Sequence, residues 1–383
     1  MPALTLQRVL QQHFSDYQRR HKLPLYQLKG VSSFLKCRTA IMGGHALYCD
    51  KGHLNGYWYN SCGHRSCPQC GALKRERWQH KVKSLLLDSP HHHWVFTLPH
   101  DLHEIWFYNR EACQSLLFSS VRQTLQVLSG DRRYLGAKLG AILSLHTWAR
   151  NLTFHPHIHC LVTHGGMFDG YWVEPKRKIL FPAKVMMQLF RGKFLAGVKA
   201  LLVNGELNVP SGMNKTQLLI LLHKWGRQGW VVHCAKRYEH GAGVAKYLAR
   251  YIRGGALKNS QLLRSGGDVV EYRHWSHERQ RVERITLSAE HFISRLLSHI
   301  ALPRKQQYHF MGFYHNRSRA MLEQARACHN QGKVEELKEL QWGDFLAKHG
   351  SVPCCSECGG ELTELRKLSR WEKNFQNLER LEQ

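Results

Sequence analysis

Three histidines at a spacing of two, His155-Pro156-His157-Ile158-His159, precede an apolar run, Cys160-Leu161-Val162. On a strand, residues i and i+2 share a face, so His157 and His159 can converge on one metal ion while Ile158 enters a core. With 27 histidines in the chain, isolated pairs at this spacing arise by chance, but a triplet is much rarer. The plainer reading is a row of exposed histidines. A second pattern, Tyr247-Leu248-Ala249-Arg250-Tyr251, sets two tyrosines one helical turn apart, with Lys246 and Arg250 beside them to attract phosphate. Alone, it reads as aromatic packing. Together the two patterns describe a chemistry: a metal held by imidazoles polarises a DNA phosphodiester, and a tyrosine hydroxyl attacks in line, leaving a phosphotyrosine and a free 3′-hydroxyl. A tyrosine titrates near about 10, so it needs a positive setting to favour the developing phenolate.

The twelve cysteines are clustered, five between Cys37 and Cys70 and three between Cys354 and Cys358. Disulfide frameworks belong to short secreted chains, whereas clustered thiols at short spacing point to zinc. Cys67-Pro68-Gln69-Cys70 is a knuckle that aims two thiolates at one ion, and a second half-site must complete it. Cys49 and His53 have a workable spacing, so the expected quartet is Cys49, His53, Cys67 and Cys70, with Cys62 or His64 as substitutes. Four protein ligands leave no open position, which makes the zinc structural. Cys355-Ser356-Glu357-Cys358 is another knuckle, next to Cys354, with no second pair nearby; it reads as half of a site completed elsewhere, as a lapsed site or as plain surface thiols.

The formal charge of +27 comes from 55 Lys and Arg against 28 Asp and Glu. Residues 331–383 hold 8 basic and 10 acidic residues, so the whole excess lies in residues 1–330. A folded body this basic attracts polyanions, nucleic acid first and an anionic membrane second. Membrane anchoring is disfavoured, because MPALTLQRVLQQHF lacks a basic stretch followed by an apolar one and no apolar run nears the roughly 18 residues of a spanning helix. A soluble, cytoplasmic protein is expected. The hydrophobic fraction of 43% supports packed cores rather than disorder.

Several elements must position these groups. Residues 3–36 read as helical, with a break near Pro24, and residues 37–71 as short strands and metal knuckles. A basic helix from Ala72 to about Leu87 carries Lys74, Arg75, Arg77 and Lys81, all expected to bind DNA. Pro90 and His91-His92-His93 read as a joint, followed by a strand from Trp94. Strands over Ala141–Trp148 and Ile158–Thr163, helices over 183–203 and 216–225, and a helix from about Gly243 to Arg253 alternate without regular βαβ spacing. An α+β domain with a mostly antiparallel sheet is therefore expected. The boundaries implied are 1–88 for the zinc unit with its basic helix, 89–302 for the catalytic domain and 303–383 for a C-terminal region.

The segments CRTAIMGGHALYCD, SCGHRSCPQC, HWVFTLPH, LHTWARNLTFHPHIHCLVTHGG, AKYLARYI and LPRKQQYHFMGFYHNRSR follow in this order and are spread over most of the chain, from Cys37 to Arg319. They resemble the HUH-class rolling-circle transposases, specifically the bacterial insertion-sequence family numbered ninety-one and its ISCR relatives. The resemblance implies an HUH endonuclease-like antiparallel sheet with flanking helices and a small N-terminal zinc-binding domain. It implies His157 and His159 as ligands of a catalytic magnesium or manganese ion, with the third ligand open between His155, His146 and an acidic or amide side chain. It also implies Tyr247 and Tyr251 as the nucleophile pair. Where the family often has C-x-x-C, this chain has Cys49 and Gly52, so His53 takes the second place. Where relatives read HTWGQ, it reads His146-Thr147-Trp148-Ala149-Arg150.

The expected function is a DNA transposase that nicks and rejoins single strands through a 5′-phosphotyrosine, acting on single-stranded element ends and target DNA. The rivals are a replication initiator of the same class and a zinc-containing DNA-binding regulator without catalysis. Metal-dependent cleavage separates the last from the others.

Overall fold

Helix α1 (Leu6–Arg20) starts where the Thr5 hydroxyl accepts a bond from the Arg8 backbone N–H. It buries Leu6, Val9, Leu10, Phe14 and Tyr17 along one stripe. Pro24, which cannot continue a helix, separates it from α2 (Leu25–Lys36). The Cys- and Gly-rich stretch that follows forms the hairpin β1 (Gly44–Cys49) and β2 (Leu54–Tyr59). The basic helix is α3 (Ala72–Leu85), which turns Trp78, Val82 and Leu85 inward. The computed structural model describes residues 4–177, 179–240, 255–276, 279–334, 337–341, 344–345, 348 and 354–368.

Next come β3 (His91–Thr97), α4 (His103–Tyr108), α5 (Arg110–Gly130), β4 (Gly140–Trp148), β5 (Phe154–Thr163) and the short hairpin β6 (Gly166–Phe168) and β7 (Tyr171–Val173). Helix α6 (Ala183–Val203) is followed by α7 (Lys215–Arg227), whose start is fixed by a reciprocal capping box between Asn214 and Gln217. Strand β8 (Val231–Tyr238) leads to a meander of β9 (Leu262–Gly266), β10 (Val269–Ser276) and β11 (Arg281–Ser288). Then follow α8 (Ala289–Ser298), β12 (Tyr308–Gly312), α9 (Arg319–Cys328) and β13 (Leu362–Leu368).

The central element is a five-stranded sheet in the order β12-β4-β5-β3-β8, antiparallel throughout. The fold is thus α+β. One sheet face carries Trp94, Phe96, Leu143, Leu145, Ile158 and Cys160, and it packs under α4 to α7 with Phe190, Phe194 and Trp225. Each such side chain, fully buried, contributes roughly 1.5–3 kcal/mol. The opposite face has two halves. Ile142 and Leu161 pack against Trp78 and Val82 of α3 and against Phe313 and Tyr314, and beyond them lie the histidines.

One expectation changes here. His91-His92-His93 is no joint: all three belong to β3, whose seven residues are all buried. His91 is accommodated because its Nδ1–H donates to the Ser89 carbonyl at 2.7 Å and its Nε2 accepts from the Tyr314 hydroxyl at 2.8 Å. Packing also crosses the three segments inferred from composition. A single core joins α1, α2, Cys37, Cys67 and Cys70 with Val270, Tyr272 and Phe292, and β13 pairs antiparallel with β1 from Gly44↔Leu368 to Cys49↔Leu362.

Candidate metal centres and basic cleft

His157 and His159 stand on one face of β5, and His146 stands on the same face of β4, cross-strand from His157. All three are buried, and one ligand atom from each lies within 4.8 Å of the others. The Nε2 atoms of His157 and His159 are 3.0 Å apart, the separation of adjacent ligands around an ion with bonds of about 2.1 Å. Tautomers are set from behind. The His157 Nδ1–H donates to the His155 carbonyl at 2.7 Å, which frees its Nε2 lone pair. Nδ1 of His159 lies 2.8 Å from Nε2 of His93. Burial holds His157 down at about 4 and His146 and His159 well below the usual imidazole range. These rings therefore stay neutral at pH 7, as metal ligands must be.

His155 contributes its carbonyl to this arrangement, whereas His146 is the third imidazole of the group. His93 was not singled out in the sequence. Its alternation with Val95 and Thr97 along β3, opposite Leu161, His159 and His157, was the signal that could have shown it.

Seven of the cysteines, with His53, form two separate groups. Cys37, Cys62, Cys67 and Cys70 converge, with Cys62 and Cys70 Sγ 3.7 Å apart, close to the roughly 3.8 Å edge of a tetrahedron with 2.3 Å zinc–sulfur bonds. The Cys62 backbone N–H points at Cys37 Sγ, 3.5 Å away. Hydrogen bonding from Cys62 holds the Cys37 thiol down at about 7. Cys49 and His53 lie instead with Cys355 and Cys358. The quartet Cys49, His53, Cys67 and Cys70 is therefore divided: β1 and β2 carry the first pair away from the knuckle, and α2 delivers Cys37 to it.

Of the expected DNA contacts, Lys74, Arg77 and Lys81 line a cleft of about 990 Å³ beside Trp78 and Tyr308. Tyr308 pairs with Ser144, two residues from His146 on the same face, so α3, the cleft and the histidines share one side of the sheet. Lys74 and Lys81 are exposed. Arg77 is bound to Glu339 at 2.6 Å and to the Leu340 carbonyl at 2.7 Å, and Arg75 is half-buried. Tyr247, Tyr251, Lys246 and Arg250 lie outside the described residues.

The described residues thus hold a buried imidazole trio, a thiol quartet and a cleft lined by Lys74, Arg77 and Lys81. Residues 140–321 match the family described as "Putative transposase", and residues 9–98 match the "Transposase zinc-binding domain". "Putative transposase y4qJ" of Sinorhizobium fredii is 32% identical over 81% of this chain and 80% of its own length. "Transposase for insertion sequence element IS801" of Pseudomonas savastanoi pv. phaseolicola is 28% identical over 76% of this chain and 71% of its own. No solved structure gives a significant match. The chain belongs to the insertion-sequence transposase family numbered ninety-one. Among the described residues, no helix is long and apolar enough to cross a membrane.

Proposed function

We propose that this transposase nicks and rejoins single-stranded DNA through a 5′-phosphotyrosine link, in rolling-circle transposition. The observation that carries the reading is the trio His146, His157 and His159, neutral at pH 7 and convergent on the sheet face that also bears the basic helix. Its donor set fits a divalent ion, and of magnesium and manganese it suits manganese better, because magnesium prefers oxygen ligands. Such an ion, when bound, draws electron density from a phosphodiester oxygen.

Tyr247 and Tyr251 are the proposed nucleophiles, on the strength of their spacing and of family membership. The tyrosine oxygen bonds to phosphorus as the bond to the 3′ oxygen breaks, and the phenolic proton is passed on to the leaving 3′-hydroxyl. Attack by a 3′-hydroxyl of another strand reverses the exchange and frees the tyrosine, so the number of ester bonds is conserved. Two tyrosines allow a second link to form before the first is resolved. Lys246 and Arg250, with Lys74 and Lys81 on α3, would hold the backbone of element ends and target DNA. Cys37, Cys62, Cys67 and Cys70 would hold a structural zinc.

The test is a denaturing gel with 3′-labelled single-stranded element ends. A labelled protein adduct should form with manganese and vanish in chelator and in His157→Ala. Persistence of the adduct in the Tyr247→Phe, Tyr251→Phe double variant would show that another residue is the nucleophile.

A further inference from the structure

We infer that Cys49, His53, Cys355 and Cys358 form a second structural zinc site, which clasps the C-terminal strand to the N-terminal hairpin. Cys49 Sγ lies 3.8 Å from Cys358 Sγ, and Cys355 Sγ lies 3.6 Å from His53 Nδ1. A tetrahedral ion with bonds of about 2.3 Å to sulfur and about 2.05 Å to nitrogen has edges of roughly 3.8 Å between sulfurs and roughly 3.55 Å between sulfur and nitrogen. Both distances match. All four ligand atoms lie within 4.8 Å of one another, and all the cysteines are free thiols.

Each half-site is a built turn. Gly52 N–H donates to the Cys49 carbonyl at 2.9 Å and Cys49 N–H to the His53 carbonyl at 3.2 Å. On the other side, Gly359 N–H donates to the Cys355 carbonyl at 2.9 Å and Cys355 N–H to the Gly360 carbonyl at 2.7 Å. Gly52 and Gly359 have φ of 80° and 68°, a region that suits glycine, so both turns close tightly. Asn55 spans the halves. Its Nδ2 donates to Cys355 Sγ at 2.9 Å, and its Oδ1 accepts from the Ser356 N–H at 2.7 Å. A donor aimed at a ligating sulfur is the usual outer support of a thiolate site.

The clasp explains why a knuckle with no nearby partner sits near residue 358. Its partners come from 309 residues away in sequence, across the β1–β13 pairing. A bond that closes so long a loop removes much of the freedom of the unfolded chain. The site is independent of the proposed strand-transfer chemistry.

The test is zinc content of the purified full-length protein by mass spectrometry of the metal, with X-ray absorption at the zinc edge. Wild type should hold two zinc ions per chain, with an average shell equivalent to seven sulfurs and one nitrogen per two ions. The Cys355→Ser, Cys358→Ser double variant should retain one zinc, and His53→Cys should keep both while replacing the nitrogen by sulfur. A wild-type protein with one zinc, a double variant that keeps two, or a Cys49–Cys358 disulfide in the intact mass would overturn the proposal. If the double variant does not fold, the wild-type stoichiometry and shell decide.

Discussion

His93 on β3 and His159 on β5 meet through Nε2 and Nδ1 at 2.8 Å, and this contact leaves the other nitrogen of His159 facing His157. For His159 to present an Nε2 lone pair, its Nδ1 must carry the proton and His93 must accept it. His93 would thus position His159, one layer behind the proposed metal ligands.

His93→Phe, which keeps a planar ring but removes the acceptor, should weaken manganese binding by about 10–100-fold. His93→Gln, whose amide oxygen can accept, should recover part of the affinity. Manganese titration followed by electron paramagnetic resonance reads this directly, and equal affinity in wild type and His93→Phe would remove His93 from the role.

Acid should destabilise the fold. Burial holds His91, His103 and His299 each at about 4, whereas an unfolded imidazole titrates near about 6.5. Between these values the unfolded chain binds protons that the folded chain refuses, so stability falls as pH drops from about 6.5 towards 4. Each group contributes up to about 1.4 kcal/mol per pH unit there and nothing above that window. Urea midpoints at pH 7, 6 and 5 should decline in that order; a flat series contradicts the assignment.

Lys74 and Lys81 are exposed and line the cleft, so Lys74→Ala and Lys81→Ala should weaken binding of single-stranded DNA regardless of its sequence. Each should reduce the slope of log affinity against log salt by about 0.7. Arg77 is held by Glu339, and its loss should change that slope less. Fluorescence anisotropy over a salt series tests the set, and unchanged slopes in both lysine variants would move the DNA path off α3.

Gly312→Ala should cost about 2–4 kcal/mol in equilibrium unfolding. Gly312 has φ of 62°, and an added Cβ would fall 1.6 Å from the Leu139 carbonyl oxygen, where β12 meets β4 opposite Gly140. A loss below about 0.5 kcal/mol would mean that this edge relaxes freely.

Much of the architecture was legible because local rules wrote it. The stripe of Leu6, Val9, Leu10 and Phe14, the break near Pro24 and the spacing of two between His157 and His159 on β5 are local signals that need no tertiary context. His91-His92-His93 misled for a physical reason: charge-bearing side chains favour surface, and only Ser89, Tyr314 and the neighbouring strands make a buried β3 tolerable for them.

The amino-acid sequence by itself determined that His157 and His159 share a face, that α3 is basic and that the cysteines come in knuckles, since spacing of two, helical period and C-x-x-C geometry are all local. Only the tertiary structure decided the partners. His146 reaches the pair because β4 and β5 are registered His146↔His157. Cys37 joins Cys62, Cys67 and Cys70, and Cys355 and Cys358 travel to Cys49 and His53. The candidate ligand sets are closed by side chains whose separation along the chain carries no periodic signal, and strand pairing and core packing alone bring their ligand atoms within 4.8 Å of one another.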